Sequence, residues 1–589
     1  MNILYSGNDA ISRGAYESGV KVVTGYPGTP CTEIVSNFFE KYTEVDCEWS
    51  VNEKVALEVA IGASFAGYRS MSVMKTVGLN VAHDALMSAA QSQINGGLVI
   101  VVGDDTGRIT DDYNDCRYYG DSANIPVLEP SDAQEALELI KLAFSISEIY
   151  CLPVIVRLTT ITCKTLSKVT LDDIHNYKAP KRIKHNISAY SVYSTTIMLG
   201  LKRSNLEIVR QFNNDYIDNL NKLKSDISNN EKINEIIYKS KKIGFICTGT
   251  SSLYVKEVCP ESSILHLRMV NPLPEDLLKN FSNQIDNIYL IEDGHDYLEN
   301  KVKALGISII SIDKKKFKFL PVYTPEVIKE HILNLKIENK PLEEVPFRLP
   351  MNCAGCSHLF IYNVLKKNNI KATTDVTCGG LGILPHINAF NNAKNMGASI
   401  SVAHGYNLAN GNNKYVSVIG DGGFWATGHN GLLNMSFNKG NSTVIIVDNS
   451  CIAMTGGQDT PGSRYEKSGE NELSISKICE AYNIKDVHTV DPYDLKTLES
   501  TILSCINNNN ISIIIAKRPC LVKYKIQITE QSHIDNMQCV NCGTCLNLGC
   551  PAIVRDTLNQ KINIDKNLCV GCKLCMNNCK NGAINCESI

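Results

Sequence analysis

The sequence predicts a multidomain α/β protein: doubly wound parallel sheets in series, then a small cysteine-rich domain. Three observations carry this. Short β-branched apolar runs alternate with helix-period segments along most of the chain, the pattern of parallel strands joined by crossover helices. The chain has 589 residues, room for about four domains of ~150 residues each. Its last stretch holds eight cysteines in two near-copies, "CVNCGTCLNLGCP" from Cys539 and "CVGCKLCMNNCK" from Cys569.

The elements follow in order. Residues 1–185 read as a first α/β domain, with strands in "KVVTGYPGTP", "GGLVIVVGDD" and "LPVIVRLTT" and a small-residue helix in "NEKVALEVAIGASFAGY". Residues 186–240 are rich in Asn, Lys and Ser and read as a polar connecting region. Residues 241–345 carry a second α/β pattern, with strands in "KIGFICTGTSS", "NIYLIEDG" and "ISIISID" and a break at "NPLP". Residues 346–530 carry a third, with strands in "KYVSVIGDGG", "NSTVIIVDNS" and "ISIIIAKRPC". The cysteine domain occupies 535–589.

Composition narrows the function. The chain is 44% hydrophobic and 20% charged, with a formal net charge of −3. It has no overall basic field for nucleic acid. No apolar run reaches the ~18 residues of a membrane span. The N-terminus lacks the basic-then-apolar pattern of a signal peptide, so a cytoplasmic location is expected. In a reducing compartment the 23 cysteines read as metal ligands and free thiols.

The tail is the strongest motif. Three thiolates at x2 spacing wrap three corners of a [4Fe–4S] cube, and the fourth ligand comes from the opposite half. Cys539, Cys542, Cys545 and Cys579 are therefore expected to hold one cluster. Cys569, Cys572, Cys575 and Cys550 are expected to hold the other. This is the bacterial 2[4Fe–4S] ferredoxin pattern. A zinc ribbon also uses C-x2-C pairs, but usually as two separated pairs. Backbone N–H groups of the Gly543 and Gly571 loops suit the cluster sulfides. The x4 gap before Cys550 and Lys580 after the last cysteine depart from the common spacing.

A second motif lies upstream. Gly420-Asp421-Gly422-Gly423 follows the run "YVSVI", and Asn449 follows "TVIIVD". Both polar residues then stand at carboxyl ends of strands, where α/β sheets bind ligands. A carboxylate and an amide oxygen suit Mg²⁺, which keeps positions free for diphosphate oxygens. The glycines allow the backbone close to phosphates. This pairing is the signature of thiamine diphosphate enzymes, whose transketolase-like domains need a glutamate on a separate domain to activate the aminopyrimidine ring. Glu53, at the start of the small-residue helix, fits that role, and partial burial there would raise its pKa.

Six stretches in this order resemble one family: "GNDAISRGAYESGVKVVTGYPGTPCTEI", "NEKVALEVAIGASFAGYRSMSVMKTVGLNVAHDALM", "CAGCSH", "GASISVAHG", the Gly-Asp-Gly…Asn element with "AMTGG", and the double cluster tail. Together they are similar to the alpha subunits of indolepyruvate:ferredoxin oxidoreductases, within the 2-oxoacid:ferredoxin oxidoreductase superfamily. The resemblance implies a pyrimidine-binding role for 1–185, a transketolase C-terminal-like domain at 241–345 and a diphosphate/Mg²⁺-binding domain at 346–530. It implies Glu53 as the activating acid, and Asp421, Asn449 and the carbonyl of Cys451 as Mg²⁺ ligands. Thr455 and Gly456 would line the diphosphate, and Thr29 would face the oxoacid carboxylate. Lys75, Asn80 and His83 share the next loop, where His83 reads as a surface histidine. Cys353 and Cys356 form a C-x2-C pair with His358 nearby and no evident fourth ligand, read as a turn contacting the cofactor.

The implied reaction is oxidative decarboxylation of an aryl 2-oxoacid, indolepyruvate first and phenylpyruvate-type acids next. Coenzyme A would accept the acyl group, and two [4Fe–4S] clusters would pass electrons to ferredoxin, in an anaerobic setting. A beta subunit would complete an αβ pair that dimerises. The competing readings are a non-redox thiamine diphosphate decarboxylase and a purely electron-transferring subunit.

Overall fold

A computed structural model describes residues 2–92, 94–105, 114–171, 203–228, 230–231, 233–317, 322–335, 350–410, 414–463, 473–556 and 560–589, without the side chains of 203–213 and 410. They fall into two compact units, Met1–Leu342 and Glu343–Ile589.

The first unit is built on a seven-stranded sheet in the order Met269–Asn271, Val127–Leu128, Val154–Thr159, Leu98–Asp104, Ser70–Lys75, Val22–Gly25, Asp46–Trp49. All neighbours are parallel except the first pair. The central strand Leu98–Asp104 is buried along its whole length. Val99 and Val101 enter one core, Leu98, Ile100 and Val102 another. Helices cover both faces, which is why the strand is a continuous apolar run instead of an alternating one.

A second sheet of this unit orders Asn287–Ile291, Ile243–Thr248, Ser263–Leu267 and Glu235–Ile237. The run "ISIISID" is no strand beside it. Ile310 makes a single bridge to Tyr289, and the chain then turns into the short 3-10 helix Lys314–Lys316, capped by Asp313. The stretch read as a polar connector also differs from expectation. Its first part, 186–202, lies outside the described residues. The rest holds the helix Arg203–Ser228 and the strand Glu235–Ile237. Leu223 and Ile227 of the helix are buried, and Tyr216 and Leu220 pack beside them. Their spacing makes one apolar stripe along the second half of the helix.

Buried charge ties the two sheets of the first unit together. Arg117 and Arg157 are both 0% exposed. Arg117 contacts Asp115 at 2.5 Å and Glu292 at 2.6 Å. Arg157 contacts Asp104 and Glu129, each at 2.7 Å. Burial opposes ionisation of Asp115, but Arg117 and then Arg157 hold its carboxyl well below the usual range.

The second unit has a six-stranded, all-parallel sheet in the order Asn392–Lys394, Ala372–Asp375, Val416–Gly420, Thr443–Asp448, Ser512–Lys517, Asp486–Val490. The cysteine domain is not a tethered appendage to it. Leu548, Ile553, Ile562, Leu574 and Ile584 share one core with Leu359, Phe360, Leu498 and Ile502. The domain closes on itself by pairing Glu530–Ile534 with Ile584–Ser588. Among the described residues, no helix is long and apolar enough to cross a membrane.

Replacing Arg117 by Met should strand Asp115 and Glu292 as buried acids. The expected cost is about 3–5 kcal/mol, read as a lower midpoint in chemical unfolding. An unchanged midpoint would show that the charge network does not hold the first unit together.

Candidate functional site

In the first unit, the expected residues gather at the carboxyl edge of the parallel sheet. Glu53 opens the helix Glu53–Phe65, which is capped by Asn52 accepting from the Val55 N–H at 3.0 Å. The Glu53 side chain lies across Gly78 of the helix Thr76–Ala90. A Cβ at Gly78 would stand 2.5 to 2.8 Å from Cγ, Oε1 and Cδ of Glu53, so only glycine leaves that slot open. The side chain keeps partial exposure, yet burial raises the carboxyl to about 7. Thr29 is exposed on the turn after Val22–Gly25. That turn rests on Lys75, since a Cβ at Gly28 would lie 2.9 Å from Lys75 Cβ. His83 is half-buried and meets Tyr119 edge-on at 5.1 Å, so it is no free surface histidine.

In the second unit, Asp421 follows the strand Val416–Gly420 and Asn449 follows Thr443–Asp448, on adjacent strands whose register pairs Gly420 with Val447. Asp421 is 2% exposed, and its Oδ2 has no hydrogen-bond partner among the described residues. Burial, and then the charge of Asp448, push its carboxyl far above the usual range, against donation from the Gly422 and Cys451 N–H groups. An acid placed this way is held in the wrong protonation state unless a cation neutralises it. Asn449 Oδ1 accepts from the Cys451 N–H at 3.3 Å and faces Cys451 Sγ at 3.5 Å. Gly422 packs against Ile452, 3.3 Å from where its Cβ would be. Asp421, Asn449 and Cys451 are thus brought together.

The next turn, 452–458, closes through a bridge between Ile452 and Gln458. Thr455 Oγ1 donates to Gln458 Oε1 at 2.8 Å, and Gly456 sits at φ 122°. The donor set of Asp421, Asn449 and the Cys451 carbonyl fits a hard divalent cation with a diphosphate beside it.

The cysteines form three groups. Cys545 feels the charges of Cys542, Cys539 and Cys579. Cys575 feels those of Cys572, Cys550 and Cys569, and all four line one cavity. The second quartet is the inner one. Burial raises Cys572 to about 11 and Cys575 to about 12, and the Ser532 N–H donates to Cys569 Sγ at 3.3 Å. The first quartet is the outer one, with Cys542 exposed and its thiol lowered by the Thr544 hydroxyl at 3.3 Å. Four thiolates at each place suit an iron–sulfur cube.

The third group went unseen in the sequence. Cys353 and Cys356 are joined by Cys378, at the start of a 3-10 helix, and by Cys520, just after the strand Ser512–Lys517. After burial, Cys520 and then Cys353 are the charges that most raise Cys378, which also feels Asp421. Asn352 Nδ2 reaches Cys356 Sγ at 3.9 Å and the Cys378 carbonyl at 2.9 Å. His358 Nδ1 lies 3.5 Å from Cys356 Sγ, and burial lowers that imidazole to about 4. The "CAGCSH" segment therefore has two further thiols in its neighbourhood, Cys378 and Cys520, the latter also hydrogen-bonded to Cys451. These two thiols lie far along the chain, and no local spacing announces them.

The loop between Cys353 and Cys356 links this group to the inner quartet. Ala354 and Gly355 line the inner cavity together with Cys550, Cys569, Cys572 and Cys575. Tyr493 Oη donates to the Gly355 carbonyl at 2.7 Å. Its ring stacks on Phe360 at 4.6 Å and carries the Arg518 guanidinium at 3.5 Å. Gly355 has φ 71°, and a Cβ there would strike Val570 at 2.3 Å.

Comparison with known proteins agrees with this chemistry. Residues 13–230 match the "Pyruvate flavodoxin/ferredoxin oxidoreductase, thiamine diP-bdg" family, 384–516 the "Thiamine pyrophosphate enzyme, C-terminal TPP binding domain", and 562–585 the "4Fe-4S binding domain". The indolepyruvate oxidoreductase subunit IorA of Pyrococcus horikoshii is 32% identical, over 95% of this chain and 93% of its own. The same subunit of Methanothermobacter marburgensis is 31% identical, over 93% and 92%. The 2-oxoglutarate synthase subunit KorA of Methanocaldococcus jannaschii is 26% identical, over 52% of this chain and 93% of its own. This extent of likeness, with the matched thiamine- and 4Fe-4S-binding families, means that the chain belongs to the alpha subunits of the indolepyruvate:ferredoxin oxidoreductases, thiamine diphosphate-dependent enzymes.

Proposed function

We propose that the chain is the catalytic subunit for oxidative decarboxylation of aryl 2-oxoacids, with indolepyruvate the favoured substrate and coenzyme A the acyl acceptor. The observation that carries the redox part is the thiol arrangement: a four-cysteine set beside Asp421 shares the Gly355 loop with the inner quartet of the tail. Aryl specificity rests on the name of relatives that match nearly the whole chain.

Bound thiamine diphosphate supplies a carbon nucleophile for the ketone and a sink for the electrons released as CO₂ leaves. Glu53 holds and moves the proton on the aminopyrimidine side, a task suited to an acid near pH 7. Asp421, Asn449 and the Cys451 carbonyl hold Mg²⁺. Thr455 and Gly456 line the diphosphate. Thr29 orients the substrate carboxylate. Cys353, Cys356, Cys378 and Cys520 hold a third iron–sulfur centre, next to the inner and outer clusters of the tail. A smaller beta subunit completes an αβ pair that dimerises. The non-redox decarboxylase reading leaves twelve ligand-type cysteines in three groups without a use.

Glu53→Gln should lower turnover by about 10²-fold or more while thiamine diphosphate still binds, measured by calorimetry. Unchanged turnover would remove Glu53 from the mechanism. The same variant tests the pH linkage in cofactor-free protein. The Glu53 carboxyl rises from 4.5 to about 7 on folding. The native state therefore binds more protons between those values. The stability this contributes is full below pH 4.5 and lost as pH rises through 7. Glu53→Gln should match the parent at low pH and exceed it by on the order of 2–3 kcal/mol above pH 7. Equal stability at both ends would mean the carboxyl is not held in a raised state.

Substrate class is read by anaerobic viologen reduction with coenzyme A across a panel of 2-oxoacids. Aryl acids should be turned over fastest; a preference for 2-oxoglutarate would contradict the aryl assignment.

A further inference from the structure

We propose that the face around the outer quartet, formed by Met537, Val540, Arg555 and Lys580, is the docking surface for the electron acceptor, a small anionic iron–sulfur carrier of the ferredoxin class. This rests on the reading that electrons leave through the tail.

Isolated exposed apolar residues are ordinary on protein surfaces. These two are not isolated from the chemistry. Met537 is 95% exposed and Val540 67%, and they flank Cys539 on the loop that leads to the exposed Cys542. Inside the tail, the inner quartet is covered by the shared core, with Cys569 and Cys575 buried. A partner must therefore approach a cluster from the Cys542 side. Apolar side chains there let two proteins exclude water over a short distance without a large interface, as transient electron-transfer contacts require.

The charge on this rim is positive. Lys580 is exposed and directly follows Cys579 of the outer quartet. The Arg555 guanidinium stands 3.3 Å from the place of a Gly543 Cβ. It is fixed there by donating to the Gln560 carbonyl at 2.8 Å and to Asn541 Oδ1 at 3.4 Å. The nearby Asp535 carboxylate accepts from the Met537 N–H at 2.8 Å. A cluster bound by four thiolates is itself anionic, so the tethered Arg555 and the exposed Lys580 beside the outer quartet attract the cluster-bearing face of such a carrier and orient it. The position after the last cysteine thus has a use: Lys580 belongs to the acceptor, not to the cluster.

The test uses the assembled holoenzyme, prepared anaerobically, with Met537→Ser/Val540→Ser and Lys580→Glu as variants. Ferredoxin binding is measured by calorimetry without substrate, together with iron content and steady-state KM for ferredoxin and for methyl viologen. The expected result is about tenfold weaker ferredoxin binding and a similarly raised KM in each variant, with iron content and the viologen KM unchanged. The Lys580→Glu effect should fade as salt rises. Unaltered ferredoxin binding would overturn the proposal. So would release of a partner subunit from the double variant, since the face would then belong to that subunit. If the parent enzyme reduces neither acceptor, the electron-exit reading fails on its own, and the binding comparison still decides the surface.

Discussion

The close packing of the Gly355 loop is the constraint on which the redox half of this protein depends. The loop has Cys353 and Cys356 at its ends, and its middle is a wall of the cavity lined by Cys550, Cys569, Cys572 and Cys575. No side chain fits at Gly355, and the Tyr493 hydroxyl and Arg518 stack hold the loop in place. Two thiol groups that are remote in sequence are thereby separated by a single turn of backbone. Because the tail shares its apolar core with the helix Ser357–Lys367, this spacing is set by packing and not by a flexible linker.

The same unit places Asp421 within electrostatic reach of the third thiol group. Asp421 is buried with an unpartnered oxygen, and its charge reaches Cys378. A buried carboxylate with one oxygen unpartnered costs stability, a cost characteristic of sites that wait for an ion. In the first unit, by contrast, the buried charges of Arg117, Arg157 and their acids are all paired and serve the fold. Glu53 lies outside that network, in a slot over Gly78 and with a carboxyl raised by burial.

What could be read from the sequence was what is local in it. The Gly-Asp-Gly turn, the following Asn, the cysteine triplets and the run of buried strands each sit within a short window, where spacing implies geometry. The four-thiol group did not show itself because Cys378 and Cys520 come from separate strands' ends, and only the sheet order brings them to Cys353 and Cys356. The helix Arg203–Ser228 was hidden by its composition, since one stripe of Tyr216, Leu220, Leu223 and Ile227 is outnumbered by polar residues. "ISIISID" failed the other way: its apolar run suggested a strand, but only one bridge forms.

Iron analysis of the anaerobically purified protein and of its Cys378→Ser variant tests the account most directly. Three four-thiol groups predict about twelve iron atoms in the parent and about eight in the variant, with the low-temperature paramagnetic signals of the two tail clusters retained. About eight iron atoms in both proteins would contradict it.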